Sequence, residues 1–209
     1  MCGQFDALSP GERLTIARIL KVNHAGEYGA IRIYRAQVFV ARRRHKYLVA
    51  FLDAILTHEI EHCRQFRTAM PARRARPCRA MSFWSFGGYV LGFATALMGE
   101  NAVMACTRAV ERTVHRHLND QLRFLAGRDE DLLHLIARIQ SEEAAHLDWA
   151  QSRLRPSAAA RLIEALVVSA TESVIWLSTQ GDAGRRHVLE RFSLTAMVKN
   201  YDQVYGALL

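Results

Sequence analysis

A repeated arrangement of acids and histidines constrains this chain more than any other feature. Each half carries a lone glutamate, followed 32 positions later by the glutamate of an E-x-x-H motif. One lone glutamate and one E-x-x-H motif from each of two helix pairs form the ligand set of a carboxylate-bridged two-metal centre in a four-helix bundle. The predicted ligands are Glu27, Glu59 and His62 in the first half, and Glu111, Glu143 and His146 in the second.

The positions of the turns support this interpretation. Residues three apart on a helix share one face, so each E-x-x-H motif can hold one metal ion. The midpoint of Glu111 and Glu143 is Gly127, a residue typical of helix ends, and the midpoint of the first pair falls in the polar segment 42–46. Two antiparallel helices place residues equidistant from their turn at one height, here about 24 Å away at ~1.5 Å per residue.

The rest of the chain fits an all-α protein, since strand-like alternation is absent from the sequence. Residues 70–79 contain two prolines and four arginines and are predicted to form a linker. We expect a bundle domain over residues 1–180, after a lead-in at 1–11, and a helical extension over 181–209 with a tail helix at 185–208. The predicted bundle helices cover 12–44, 46–68, 101–125, 129–154 and 156–180.

The alternative for any single E-x-x-H motif is that it occurs by chance, because the chain has nine histidines. Asp131 and His134 offer the same chemistry as an E-x-x-H motif, but they lie near the Gly127 turn without a partner at equal height. The matched spacing in both halves favours the metal centre. Four buried carboxylates without a cation would be very costly.

The donor set indicates the kind of metal. Four carboxylates and two imidazoles favour iron or manganese over zinc, which prefers four nitrogen or sulfur ligands. We expect Glu59 and Glu143 to bridge the two ions and the remaining glutamates to bind one ion each. Outer acids usually orient metal-binding imidazoles. The candidates for that role are Glu61, Glu142 and Asp148.

The sequence around these residues resembles the demethoxyubiquinone hydroxylases, a family of ferritin-like di-iron monooxygenases. The segment VNHAGEYGA at 22–30, followed by Arg32-Ile33-Tyr34, is similar to the first family signature. Similar blocks follow at 91–99, 104–111, 142–148 and 175–178, so the resemblance covers roughly residues 14–180. The first and third of these blocks are specific to the demethoxyubiquinone hydroxylases, whereas E-x-x-H motifs occur in all ferritin-like di-iron proteins.

The resemblance implies a ferritin-like fold with a crossover helix and two iron ions (Fe) per chain. It also implies O₂-dependent hydroxylation of the ring of 2-polyprenyl-3-methyl-6-methoxy-1,4-benzoquinol in ubiquinone biosynthesis, alongside partner proteins of that pathway. All six ligand positions of the family are matched. The reductant stays open between NADH, the quinol and a partner protein, since no G-x-G-x-x-G motif occurs. Another ferritin-like di-iron oxidase or hydroxylase, and a non-catalytic quinone-binding scaffold, are the alternatives.

The chain departs from the family pattern at two places. After Glu111 the family typically has a histidine followed by a tyrosine and an asparagine, whereas this chain has His117, Leu118 and Asn119. We expect His117 to keep a role in proton transfer, while Leu118 has no hydroxyl for a quinone contact. The extension at 181–209 also passes the usual family end, and its basic and apolar residues suit docking, dimerisation or a lid.

Residues 81–99 are apolar and uncharged, long enough to consider a membrane span. A single span would place the two halves of the metal site on opposite sides of the bilayer. We therefore expect the segment to lie at the membrane interface, or in the buried core as the alternative. The residues expected at the lipid headgroups are the aromatic Phe83, Trp84, Phe86 and Tyr89 and the basic Arg73, Arg74, Arg76 and Arg79.

The charge and the cysteines suggest where the protein works. The net charge of +8 suits anionic phospholipids or nucleic acid, or reflects arginine-rich composition alone. We expect no nucleic-acid partner, because no RNA-binding motif is present, and we leave a homo-oligomer open. The four cysteines form no C-x-x-C motif and are expected to be free thiols. These features and the lack of a signal peptide predict a peripheral protein on the cytoplasmic side of the cell membrane.

Overall fold

The computed structural model describes residues 2–79 and 81–179, and this part of the chain contains seven α-helices and no strand. This confirms the predicted all-α class. The predicted lead-in contains one short helix that the sequence pattern did not indicate. The predicted tail helix at 185–208 lies outside the described residues. The helices are α1 (Cys2–Ala7), α2 (Pro10–Arg44), α3 (Val49–Ala69), α4 (Met81–Met98), α5 (Glu100–Leu125), α6 (Glu130–Arg153) and α7 (Ala158–Thr179).

Side chains cap the starts of two long helices, α2 and α6, and the cap of α6 is the predicted Asp129. The Ser9 hydroxyl accepts a hydrogen bond from the Glu12 amide, and the Glu12 carboxylate accepts one from the Ser9 amide, so α2 begins with a capping box. The Asp129 carboxylate accepts a bond from the Leu132 amide at the start of α6. Gly127 has a φ of 74° in the turn before it, a conformation that glycine adopts without strain.

Four of the helices form two antiparallel hairpins, α2 with α3 and α5 with α6, which pack together as a bundle. Helix α4 crosses from one hairpin to the other and packs along α2, while α7 covers α5 and α2. This arrangement confirms the predicted ferritin-like bundle with a crossover helix. Residues 70–79 contain no α-helix, in agreement with the predicted linker.

Two glycines let α4 approach the backbone of α2. A Cβ atom on Gly92 would lie 2.3 Å from the Ile33 carbonyl oxygen, and one on Gly88 would lie 2.7 Å from the Gly29 carbonyl oxygen. Both distances are far below van der Waals contact. The two glycines therefore fix α4 against the bundle.

Helix α4 is neither wholly buried nor a membrane span. It is the only helix in the described ranges long and apolar enough to cross a bilayer by length and composition. The two hairpins that it joins pack against each other, which excludes a crossing between them. The wholly buried alternative is also wrong, because five large apolar side chains are exposed, namely Phe83, Phe86, Val90, Leu97 and Met98.

Two of the residues predicted to meet lipid have other roles. The Trp84 side chain is buried against the bundle, so the prediction that it lies at the lipid headgroups is wrong. The Arg73 guanidinium donates two hydrogen bonds to the Asp129 carboxylate, at 2.6 and 2.7 Å, and both side chains are largely buried. Arg73 therefore fixes the linker to the start of α6. Arg74, Arg76 and Arg79 are exposed.

Apolar layers enclose the middle of the bundle from both ends. The layer toward the α2–α3 turn contains Leu52, Ile55 and Met104. The layer toward the α5–α6 turn contains Phe66 and Ile136. Between these layers lie the acids and histidines that the sequence singled out.

Candidate metal centre

The six predicted ligand side chains converge in the middle of the bundle, and all are buried. They form two overlapping groups, and within each group one potential ligand atom per residue lies within 4.8 Å of all the others. Glu59 and Glu143 belong to both groups, so they stand where bridging ligands would stand. The first group also contains Glu27 and His62, and the second also contains Glu111 and His146.

The two imidazoles have matching orientations. Nδ1 of His62 lies 2.8 Å from Oε1 of Glu143, and Nδ1 of His146 lies 3.0 Å from Oε2 of the same carboxylate. Their Nε2 atoms point outward. The Nε2 of His62 lies 2.7 Å from Oε2 of Glu142, and the Nε2 of His146 lies 2.9 Å from Nδ1 of His58.

One of the three acids predicted to orient the imidazoles does so. Glu142 bonds to His62, as expected. Glu61 instead accepts hydrogen bonds from Arg64 and Gln65 on the exposed side of α3, so that prediction is wrong. Asp148 is also wrong, because its side chain is exposed on α6 and makes no hydrogen bond to either imidazole in the described structure.

Without a cation, burial and the charge of neighbouring carboxylates raise the pKa of three of the four glutamates. Burial, followed by the charge of Glu143, raises the pKa of Glu59 and of Glu111 well above the ordinary value. Burial raises the pKa of Glu27 to about 7. Glu143 behaves differently: burial raises its pKa, but the neighbouring imidazoles of His146 and His62 outweigh burial and lower it. A metal-free site therefore holds protons that a bound cation would replace.

The donor atoms present fit a pair of redox metal ions. His62 Nδ1 and Glu143 Oε1 are buried and 2.8 Å apart, yet neither makes a hydrogen bond in the described structure. Buried polar atoms without a hydrogen bond are uncommon, and a bound metal ion would satisfy these two. Four carboxylates with two imidazoles suit iron or manganese better than zinc.

Tyr34 is a polar neighbour of the site that the spacing analysis did not single out. Its hydroxyl donates a buried 2.6 Å hydrogen bond to Oε1 of Glu111. Burial and the charge of Glu111 raise the pKa of Tyr34 well above its ordinary value, so the hydroxyl keeps its proton. Tyr34 lies two helical turns after Glu27 on α2, a spacing that places both on one face.

A cavity of about 600 Å³ reaches the carboxylates from one side. Its walls come from α2, α4, α5 and α7, and they are mostly apolar, including Ile33, Leu91 and Val110. Neither predicted imidazole ligand belongs to its lining. The acids at its inner end are Glu27, Glu59, Glu111 and Glu143. A small apolar molecule can therefore approach the acids without displacing the imidazoles.

His117 and Leu118 both line this cavity. The Nε2 of His117 lies 3.2 Å from each carboxylate oxygen of Glu172, which also pairs with Arg116. Burial raises the pKa of Glu172, but His117 and Arg116 lower it overall. Leu118 is almost completely buried and packs in the apolar layer near the α5–α6 turn.

Comparison with known proteins agrees with this geometry. A family model described as ubiquinone biosynthesis protein COQ7 matches residues 14–178. The chain is 36% identical over 173 residues to a mouse protein named NADPH-dependent 3-demethoxyubiquinone 3-hydroxylase, mitochondrial, with 79% of this chain and 78% of the mouse protein covered. It is 35% identical over 170 residues to the 3-demethoxyubiquinol 3-hydroxylase of Rhodospirillum rubrum, with 81% and 80% covered. It is 36% identical over 158 residues to the mitochondrial 5-demethoxyubiquinone hydroxylase of Saccharomyces cerevisiae, with 68% of each covered.

Proposed function

Because the chain belongs to the COQ7 family of ubiquinone biosynthesis proteins, we propose that it is a demethoxyubiquinol hydroxylase with a two-iron centre. The observation that supports the metal centre is the convergence of four buried glutamates and two imidazoles on overlapping sites. The proposed ligands are Glu27, Glu59, His62, Glu111, Glu143 and His146, with Glu59 and Glu143 shared between the two ions.

The cavity supports a quinol substrate. Its volume of about 600 Å³ lies within the range of small-molecule sites, and its apolar walls suit a substituted ring with a polyprenyl tail. Among the described residues, the only acids in its wall are the four glutamates at the inner end. A ring that fills the cavity would therefore place its reacting edge beside the proposed ligands while the walls exclude water.

The reaction needs O₂, two electrons and two protons. One oxygen atom enters the quinol ring and the other leaves as water. Two iron ions held by this ligand set would supply the O₂ activation, while the protein binds the ring and supplies protons. The chain offers His117 for proton exchange with the ring, since it lines the cavity and Glu172 fixes its Nε2 atom. The relatives' names suggest a reduced nicotinamide nucleotide as the electron source, since the mouse protein is named NADPH-dependent.

Exposed apolar side chains at the cavity support a peripheral position on a membrane. Phe83 and Leu166 line the cavity and are 66% and 62% exposed. Further exposed apolar residues lie on α4 and α7, and three exposed arginines precede α4. A tail too apolar for water could pass from lipid into the cavity through this surface. We define this surface as the apolar face, formed by Phe83, Phe86, Val90, Leu162 and Leu166.

Rescue of a cell that lacks its own hydroxylase tests the proposed function. The full chain should restore ubiquinone and remove the accumulated demethoxy quinone. Glu143→Ala should abolish this rescue while the purified variant keeps its helical circular dichroism. Glu61→Gln is the matched control, since Glu61 lies on the exposed side of α3 and contacts neither imidazole. A folded wild-type chain that fails to rescue, or a Glu143→Ala chain that rescues fully, would contradict the proposal.

A further inference from the structure

We propose that His58 is a positioning residue for the proposed metal ligand His146, and that it makes the two metal positions chemically unequal. This inference rests on the proposed function, because it assumes the two-metal centre. It assigns a role to a histidine that belongs to neither predicted motif.

The contact between the two histidines joins α3 to α6. Nδ1 of His58 lies 2.9 Å from Nε2 of His146. The two rings are nearly parallel, with centroids 5.1 Å apart and an angle of 20° between their planes. His146 is buried whereas His58 is exposed, so His58 covers the outer edge of a buried imidazole. One ring therefore fixes both the tilt and the outward nitrogen of the other.

The position of the protons follows from the geometry. Nδ1 of His146 faces the Glu143 carboxylate inside the site, so this nitrogen needs a free lone pair to bind a metal ion. The proton of the neutral ring then sits on Nε2 and is donated to Nδ1 of His58. His58 accepts with its own lone pair and carries its proton on Nε2. The contact thus selects one tautomer in each ring.

The other imidazole has a different outer partner. Nε2 of His62 donates to the carboxylate of Glu142 at 2.7 Å. A carboxylate is a charged acceptor and strengthens the metal bond of the imidazole that donates to it, whereas an imidazole is a neutral acceptor. The ion beside His62 is therefore bound more tightly than the ion beside His146, although their inner ligands match.

Cobalt titration of the metal-free full-length chain tests this inference without measuring activity. Co²⁺ is added to wild type and three variants, and its visible absorbance reports the affinity of each position. His58→Phe keeps a flat ring but has no acceptor nitrogen, while His58→Gln keeps an acceptor oxygen. Glu61→Gln is the control for a general disturbance of α3. Circular dichroism confirms that each variant keeps its helical content.

The wild-type chain should bind two Co²⁺ ions with unequal affinity. His58→Phe should weaken the weaker position by about 10–100-fold and leave the tighter one unchanged, as expected for loss of an outer partner of a metal ligand. His58→Gln should recover most of the loss, and Glu61→Gln should match wild type. Wild-type affinities in His58→Phe, or equal losses in His58→Phe and His58→Gln, would overturn the role of His58. A wild-type chain that binds fewer than two Co²⁺ ions would instead overturn the metal centre itself, before any variant is compared.

Discussion

The metal-free protein should lose stability as the pH rises from 5 to 8. Burial raises the pKa of Glu27 from 4.5 to about 7, so the folded metal-free protein binds a proton more tightly than the unfolded chain does. That contribution to stability is complete below pH 4.5 and is lost as the pH rises through 7. The rise in pKa corresponds to roughly 3 kcal/mol.

The neighbouring groups determine the rest of the pH window. Burial lowers the pKa of His62, but Glu143, Glu27 and Glu142 raise it overall to about 9, so its contribution is lost between about pH 6.5 and 9 and adds to the fall. Glu143 has a lowered pKa, and its contribution therefore stays constant above pH 4.5. His24 acts in the opposite sense, because burial lowers its pKa.

Thermal unfolding followed by circular dichroism measures the effect. For a chain of this size, 1 kcal/mol shifts the midpoint by about 2–4 °C. Glu27 alone loses roughly 2.5 kcal/mol between pH 5 and 8, so its contribution to the fall is about 5–10 °C. The metal-loaded protein should lack this fall, because cations replace the protons. Glu27→Gln should remove the part of the fall in melting temperature that comes from Glu27, and Glu61→Gln should behave as wild type. A metal-free midpoint that stays flat or rises over this range, in wild type and Glu27→Gln alike, would refute the reasoning.

Three further predictions concern parts of the structure around the site. Tyr34→Phe should lower metal affinity by about 10-fold or more while the fold is kept, since a buried hydrogen bond to a carboxylate contributes about 1.5–3 kcal/mol; unchanged Co²⁺ binding would contradict this. Gly92→Ala should lower the free energy of unfolding by about 1–3 kcal/mol, because the added methyl group overlaps α2. Gly87→Ala meets no atom within 4 Å and should not destabilise the protein, so equal melting temperatures of the two variants would count against the close approach. Phe86→Glu should weaken binding to anionic lipid vesicles by about 10-fold in a flotation assay, whereas Ile60→Glu on α3 should not, and equal losses would exclude the apolar face as the contact.

The sequence predicts the main helices and the six proposed ligands, because the distance of a residue from the turn determines its level along an antiparallel helix pair. In an antiparallel pair, residues equidistant from the turn lie at one level, and the turns occur at His45 and Gly127, close to the predicted midpoints. The 3.6-residue period then places each E-x-x-H motif on one face. These relations depend only on helix geometry, so the convergence of the six side chains follows from their spacing in the sequence.

The outer contacts could not be predicted in this way, because they depend on how neighbouring helices are rotated. His58 lies four positions before His62, so the sequence predicts that both lie on one face of α3. The contact of His58 with His146 depends on the packing of α3 on α6 and cannot be predicted from this spacing. Tyr34 meets Glu111 across α2 and α5 for the same reason. Glu61 is an equally good candidate from sequence, yet the rotation of α3 in the bundle leaves it on the exposed side, where it pairs with Arg64 of the same helix.

The mixed character of α4 also required the tertiary structure. Its apolar composition fits a buried helix and an interfacial helix equally well. The two glycines that bring α4 onto α2 determine which side chains turn inward, so Trp84 packs against the bundle and Phe86 remains exposed. The sequence pattern does not distinguish Arg73 from the exposed arginines beside it, because its partner, Asp129, is distant in sequence.

Incorporation of labelled oxygen tests the central claim most directly. The purified full-length chain is loaded with Fe²⁺ without air, its iron content is measured, and it is then mixed with demethoxyubiquinol, a reductant and ¹⁸O₂. The account predicts two iron ions per chain and a hydroxylated quinol that carries one ¹⁸O atom, with neither product nor label in Glu143→Ala. A product whose new oxygen comes from water, or full turnover by a chain that holds no metal, would contradict it.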